Sequence, residues 1–150
     1  MNEDLLELLN CLKSQGVEFL IIGAHAVGFH GRPRMTQDLD IWIGRKPENV
    51  DRLRLALDEF GAPIGEEGAR RFCTAERQMV RIGAPPNMVD LLNFAGDGKF
   101  DEMHAHRIEG ILGGIELPFP SVEDLIILKQ QAGRSQDLAD VESLKRHRKG

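Results

Sequence analysis

Hydrophobic residues along the chain fall into short blocks whose spacing predicts helices and strands in alternation. Leucines recur at helical spacing through residues 2–14, and a glycine follows them, as it does after many helices. The apolar runs 17–22 and 39–43 are rich in β-branched and aromatic residues, so both are predicted to be buried strands. A proline followed by spaced leucines predicts a helix over about 47–60.

The second half of the chain is predicted to add strands first and helices last. Residues 78–82 and 88–92 have the pattern of two strands joined by a turn that contains two prolines. One or two further strands are predicted within 107–119. Ser121, with an acid three residues later, indicates the start of a helix, and a last helix is predicted over about 135–147.

These elements together predict one domain of mixed architecture. The order is helix, strand, short helix at 24–30, strand, helix, several strands and two helices. It favours an α+β (or α/β) domain with a small mixed β-sheet flanked by helices. Because 150 residues suit one domain, we assign residues 1–150 to a single domain whose C-terminal helices span about 121 to 147.

Composition excludes several classes of protein. A formal net charge of −5 disfavours a broadly basic nucleic-acid-binding domain. The two cysteines, Cys11 and Cys73, are too few for a disulfide-rich secreted scaffold or a four-cysteine zinc site. The acidic N-terminus is unlike a signal peptide, and the longest apolar stretch, 19–24, is too short to cross a bilayer. We therefore expect a cytoplasmic protein with no membrane partner.

The glycine that ends the first predicted strand, Gly23, is a candidate for contact with a phosphate. Glycine lets the backbone approach a ligand closely, and the helix expected to begin at Ala24 would present unpaired N–H groups. Strand–glycine–helix junctions are common, so this feature alone does not separate a ligand site from an ordinary turn.

Three aspartates in predicted strands are candidate metal ligands. Asp38 and Asp40 lie two residues apart at the start of a strand, so both carboxylates project from one face. Asp90 lies among apolar residues, where an ionised carboxylate is costly unless it is paired or binds a metal. Oxygen ligands suit Mg²⁺ or Mn²⁺, and three carboxylates can serve a two-metal phosphoryl-transfer site. A solvent-exposed strand end would also explain each aspartate separately.

The glycine turn and the aspartates together resemble a known motif. Residues 22–24, residues 38–40 and Asp90 match, in order and spacing, the pattern of the nucleotidyltransferase superfamily of the DNA polymerase β type. The stretch 23–43 is similar to small bacterial proteins related to AbiEii-type nucleotidyltransferases of abortive-infection and toxin–antitoxin systems. The stretch 129–140 resembles the helix pair with which those proteins end.

The resemblance implies a role for each residue of the motif. Gly23 and Ala24 would hold the phosphates of a nucleoside triphosphate such as ATP. Asp38 and Asp40 would bind the metals, and Asp90 would complete the site and help to deprotonate the acceptor hydroxyl.

Two further residues acquire roles from the same resemblance. Thr36 would contact phosphate or support the aspartate pair, and Lys129 would offer a positive charge to the triphosphate. The chain departs from the family at Ala24, where the usual residue is Gly or Ser. Alanine lacks the serine hydroxyl and has less backbone freedom than glycine, but its N–H can still donate.

The function implied is that of an enzyme, a nucleotidyltransferase that depends on Mg²⁺ or Mn²⁺. It would move an NMP from an NTP to a hydroxyl of an RNA, a protein or a small molecule. A partner subunit or a homodimer is expected to complete the acceptor site. The alternative is a binding module of the same fold with weak or no catalysis, such as a toxin–antitoxin component, which Ala24 would favour.

Trp42 and three histidines have uses that the sequence leaves open. Trp42 shares a face with the aspartate pair, where it either stacks on a base or anchors the core. His25 follows the glycine turn closely enough to contact a substrate, although a structural role is the simpler expectation. His104 and His106 form a potential metal pair, but a surface loop is the expected setting for them.

Overall fold

Six helices and two β-sheets make up the part of the chain that the computed structural model describes, which is residues 3–23, 26, 38–84, 87–133 and 135–148. The helices are α1 (Glu3–Ser14), α2 (Pro47–Phe60), α3 (Gly65–Thr74), α4 (Phe100–Ala105), α5 (Val122–Ala132) and α6 (Ser135–Arg148). The strands are β1 (Phe19–Ile22), β2 (Leu39–Ile43), β3 (Met79–Ile82), β4 (Val89–Leu92), β5 (Ile108–Leu112) and β6 (Ile115–Phe119). None of these helices is long and apolar enough to cross a membrane.

The larger sheet is mixed and has the strand order β1-β2-β4-β3. Strands β2 and β4 run parallel at its centre, whereas β1 and β3 pair antiparallel at the two edges. The smaller sheet is the antiparallel hairpin of β5 and β6, and β6 contacts β1. The α+β architecture with a small mixed sheet flanked by helices is thus confirmed.

Strand β2 separates two apolar layers because its residues alternate between the faces of the sheet. Leu39 and Ile41 belong to the main core, which α1 and α2 also line. Trp42 points to the other face, where only 1% of its surface is exposed. Its ring meets that of Phe100 edge-on, with the centroids 5.3 Å apart. Trp42 is therefore an anchor of the second layer, and this packing excludes the alternative of an open stacking platform.

Two helices in the middle of the chain were absent from the predicted order. Helix α3 buries only Ala69 and Phe72, and helix α4 has six residues and buries only Met103. Neither stretch therefore carries the repeated apolar spacing that distinguishes a longer amphipathic helix.

The expected surface loop at His104 is also wrong, because this residue lies in α4. Its ring stacks on that of Phe100, with the centroids 5.1 Å apart. Burial is the main reason that the pKa of His104 is lowered from its ordinary value. His106 follows the helix, and its side chain is largely exposed.

A buried asparagine ties the end of β4 to the segment before β3. The Asn93 side-chain amide donates to the backbone oxygens of Phe72 (3.1 Å) and Ala75 (2.9 Å). Its carbonyl oxygen accepts from the backbone N–H of Gln78 at 2.7 Å. Because only 3% of Asn93 is exposed, these bonds satisfy the polar groups of a side chain that water hardly reaches.

We expect Asn93→Ala to lower the free energy of unfolding by about 2–4 kcal/mol, because it removes three hydrogen bonds that this buried side chain makes to the backbone. Urea unfolding followed by circular dichroism would measure the change. Asn10→Ala on the exposed side of α1 is the matched control and should change stability by less than about 0.5 kcal/mol. Equal unfolding midpoints for the two variants would contradict the role given to Asn93.

Candidate active site

A row of side chains crosses the larger sheet at the start of β2. Asp40 of β2 lies opposite Asp90 of β4 in the parallel pair, and Ile22 of β1 lies opposite Asp40 on the other side. Arg81 of β3 lies opposite Asp90. The pairing brings together two of the three predicted aspartates, although one belongs to the first third of the chain and the other to the second half.

Asp38, the third predicted aspartate, lies immediately before β2 and is exposed. Its charge acts on Asp40, so it belongs to the same electrostatic cluster. However, no three His, Cys, Asp or Glu side chains in the described part of the chain converge closely enough to form a metal cage. The structure therefore holds the pair Asp40 and Asp90 side by side, with Asp38 at the margin.

The surroundings of the Asp40 carboxyl disfavour its ionised form. Burial is the largest of the effects that raise its pKa above the ordinary value, and the negative charge of Asp90 raises the pKa further. The positive charges of Lys129 and Arg81 oppose these effects only in part. At neutral pH the folded protein therefore carries a cost for ionising Asp40, and a cation bound at this position would remove it.

Gly23 allows the backbone after β1 to pass directly over Asp40. Its φ of +76° belongs to the left-handed region, which favours glycine. A Cβ placed on Gly23 would lie 2.5 Å from Oδ2 of Asp40, which is closer than real contacts permit. Glycine is thus required here for two reasons, and the predicted turn lies against the predicted acid.

A cavity of about 230 Å³ opens beside these residues. It is lined by Ile22, Gly23, Asp40, Leu92, Phe94, Ala95, Gly96, Leu125, Leu128 and Lys129. Asp40 and Lys129 are its charged lining residues, and the other side chains offer apolar surface. The cavity thus combines a carboxylate and an ammonium group with apolar walls, a combination suited to a ligand with both charged and apolar parts.

The loop after β4 forms part of the cavity wall, and α5 fixes its position. Gln131 of α5 accepts a hydrogen bond from the backbone N–H of Asp97 at 3.0 Å. A Cβ on Gly96 would lie 2.5 Å from the same Gln131 oxygen, so glycine permits this close approach. The two segments are far apart along the chain, so no local sequence pattern indicates this contact.

Lys129 reaches the cavity from α5, and Asp140 of α6 lies behind it. The Lys129 Nζ is 3.7 Å from Oδ2 of Asp140, and the exposed fractions of the two side chains are 12% and 4%. A buried ammonium requires such a carboxylate partner, because an unpaired charge would be costly to desolvate. The resemblance placed Lys129 at the triphosphate, and its position beside Asp40 is compatible with that hypothesis.

Arg81 is the charged residue that sequence reasoning missed. Its Nε donates to Oδ1 of Asp90 at 2.9 Å, and its Nη2 donates to Oδ2 at 3.2 Å. A signal was present, because a hairpin of the predicted strands 78–82 and 88–92 that pairs Ile82 with Val89 also places Arg81 opposite Asp90. This signal becomes usable only when the register of the hairpin is known.

Three predicted residues lie outside the part of the chain that the structure describes. These are Ala24, Thr36 and His25. The short helix predicted over 24–30 falls in the same region. The functions predicted for them stay predictions.

The donor chemistry of the acidic pair fits a hard divalent cation. Asp40 and Asp90 offer oxygen atoms from adjacent strands, and Asp38 offers more at the margin. Burial and the charge of Asp90 raise the pKa of Asp40, so a positive charge beside this carboxyl would favour its ionised form. For Asp90 to bind a cation through a carboxylate oxygen, the guanidinium of Arg81 must share or leave that oxygen.

Comparison with known protein families gives a match over almost the whole chain. The family model described as "Nucleotidyl transferase of unknown function (DUF2204)" matches residues 1–149. No curated protein matches the chain by sequence.

Solved structures with a similar fold are antibiotic adenylyltransferases and related proteins. Lincosamide antibiotic adenylyltransferase LnuA, solved with lincomycin bound, has a TM-score of 0.55 and 13% identity, over 97% of this chain and 96% of that one. ANT(2")-Ia, solved in complex with adenylyl-2"-tobramycin, has a TM-score of 0.58 and 13% identity, over 93% and 84% of the two chains. An antigenic nucleotidyltransferase-like protein from Paracoccidioides brasiliensis has a TM-score of 0.56 and 17% identity, over 94% and 74%. At these identities the likeness establishes the fold.

Proposed function

The chain belongs to the nucleotidyl transferase family that matches residues 1–149, and from this premise we propose that it transfers an NMP from an NTP to a hydroxyl group with the help of Mg²⁺ or Mn²⁺. The observation that carries the proposal is the placement of Asp40 between Asp90 and the cavity that Gly23 and Lys129 also line. We also propose that residues 1–150 act as one domain in this reaction. The acceptor that we propose is an RNA, a protein or a small molecule.

The residues around the cavity have complementary tasks in this proposal. Gly23 leaves room for the triphosphate to lie against the backbone next to Asp40. Lys129, which Asp140 holds in place, offers a fixed positive charge to the phosphates. The apolar wall at Leu92 shields part of the nucleotide from water, which strengthens the charge interactions inside the cavity.

The acidic residues would hold the cation and receive the proton. Asp38, Asp40 and Asp90 are the proposed ligands of the divalent ion. When bound, Mg²⁺ or Mn²⁺ supplies neutralisation of the charge on the attacking and leaving oxygens. Asp90 is the proposed acceptor of the proton from the attacking hydroxyl.

The reaction balances without any further reagent. The acceptor oxygen forms a bond to the α-phosphorus of the NTP, and the bond from that phosphorus to the β-phosphate oxygen breaks. The acceptor proton passes to a carboxylate, and pyrophosphate leaves with the bonding electron pair. The task of the protein is to position the reactants and to offset their charge.

Joint binding of metal and nucleotide is expected to raise the thermal unfolding midpoint of the protein. At a hundred times the dissociation constant, a ligand that binds only the folded state stabilises it by about 2.7 kcal/mol. We expect this stabilisation with Mn²⁺ or Mg²⁺ plus one or more NTPs, measured by differential scanning fluorimetry. The double variant Asp38→Asn, Asp40→Asn should lose it.

The control for this experiment is the double variant Asp51→Asn, Asp58→Asn, which changes the net charge equally on the exposed side of α2. It should keep the stabilisation. If no pair of metal and NTP raises the midpoint of the wild-type protein, the result would argue against a transferase site and for a binding module of the same fold.

A further inference from the structure

Arg81 places a positive charge beside the acidic pair at the edge of the sheet. Asp40, Asp90 and Arg81 occupy directly opposed positions on three adjacent strands, so one side chain from each strand meets in a line. The hydrogen bonds and the charge of Asp90 are the main reason that the pKa of the Arg81 guanidinium is raised, and the charges of Asp38 and Asp40 add to the effect. Arg81 is therefore the counter-ion of Asp90, and its charge also acts on the other two carboxylates.

The contact between Arg81 and Asp90 occupies both carboxylate oxygens. The two hydrogen bonds measure 2.9 and 3.2 Å, one to each oxygen, in the forked geometry that guanidinium groups form with carboxylates. The Asp90 side chain is 16% exposed, whereas the Arg81 side chain is 51% exposed. The carboxylate is thus fixed within the sheet, and the guanidinium reaches it from the solvent side.

We infer that Arg81 is a built-in counter-cation that holds Asp90 in the metal-free protein and competes with the divalent ion for this carboxylate. The inference rests on the proposed function, since it assigns a role to Arg81 at the proposed metal site. Two carboxylates side by side repel each other, and a positive charge next to them reduces that repulsion. Arg81 supplies this charge when no divalent ion does.

Arg81 differs in this respect from Lys129, the other cation that acts on Asp40 among the residues that the structure describes. The Lys129 side chain is 12% exposed and its Nζ lies 3.7 Å from the buried Asp140, so withdrawing it would separate a buried ion pair. Arg81 is half exposed at an edge strand, and its guanidinium can return to water at little cost. Arg81 is therefore the cation that a metal ion can displace.

The test is the affinity of the metal ion itself, measured without nucleotide or catalysis. Arg81→Gln should bind Mn²⁺ about tenfold more tightly than the wild type, because the metal no longer displaces a paired charge. The free Mn²⁺ signal in electron paramagnetic resonance titrations gives the dissociation constant. Arg70→Gln removes an arginine on α3 that is also paired with a carboxylate and is 60% exposed, and it should leave the affinity unchanged.

Arg81→Lys provides a second measurement if the glutamine variant does not fold. Lysine keeps the charge but loses the forked contact, so its Mn²⁺ affinity should lie between those of the wild type and the glutamine variant. If Arg81→Gln binds Mn²⁺ no more tightly than the wild type does, the inference is overturned. If only Arg81→Lys folds, the same result in that variant overturns it. In that case, Mn²⁺ binding by the wild type that is lost in Asp40→Asn would still support the proposed function. If neither the wild type nor an Arg81 variant binds Mn²⁺, both proposals fail.

Discussion

Replacing Asp40 with asparagine is expected to reduce nucleotidyl transfer by about a thousandfold or more, since metal-assisted charge stabilisation is worth several kcal/mol of the barrier. Asparagine has nearly the same shape but cannot offer a negatively charged oxygen to the cation. The measurement is the transfer of label from α-labelled NTPs to total cellular RNA or to a lysate, which would also identify the acceptor.

The same variant should be more stable than the wild type at neutral pH. Burial and Asp90 raise the pKa of Asp40, so the wild-type protein carries the cost of ionising this carboxyl above that pKa. As the pH falls through the raised pKa, Asp40 takes up a proton and the cost disappears. The difference in unfolding midpoint between variant and wild type should therefore shrink toward acid pH.

The control for Asp40 is Asp58→Asn, at an exposed position of α2, which should change neither transfer nor the pH dependence of stability. Two results would count against the role given to Asp40. Full transfer activity in Asp40→Asn would remove the carboxylate from the mechanism. A destabilised but active variant would assign Asp40 to structure rather than to chemistry.

Gly23→Ala is expected to lower transfer about a hundredfold, because a displacement of about 1 Å at a reacting group can have an effect of this size. The new methyl group would lie 2.5 Å from Oδ2 of Asp40, so either the carboxylate or the turn must move. The positive φ of Gly23 adds a backbone cost of about 1–2 kcal/mol to folding. Transfer assays and urea unfolding would measure the two effects separately.

Gly114→Ala separates the contact from the backbone strain. Gly114 has a φ of +82°, close to that of Gly23, but a Cβ there would meet no atom within 4 Å. The control should therefore lose a similar backbone energy and keep full transfer activity. If Gly114→Ala impairs transfer as strongly as Gly23→Ala does, loss of stability rather than contact with Asp40 explains the effect.

Local sequence patterns were sufficient for the elements that carry strong periodicity or end signals. Strand 39–43 and helix 47–60 have the predicted bounds, and Ser121 caps α5 by accepting a hydrogen bond from the backbone N–H of Asp124. Helices α3 and α4 were missed because their few buried residues gain their partners only from the folded core.

The candidate site was predictable in its members but not in its arrangement. The motif identified Asp40 and Asp90 as site residues. The register that places them side by side belongs to a parallel strand pair, and no residue near either aspartate in the sequence determines that register. Predicting the contact of Arg81 with Asp90 likewise depends on the register of the hairpin. The charges that balance one another in this site are thus set by sheet pairing, which a linear pattern does not specify.

The parallel pairing of β2 with β4 also has a consequence for the order of folding. The connection between these strands contains α2, α3 and β3, so Asp40 and Asp90 meet only when this long loop has closed. Closing so long a loop is among the slower steps of folding. Repulsion between the two carboxylates consequently arises only with the closure of this loop, and the hydrophobic burial that accompanies folding of the domain offsets it.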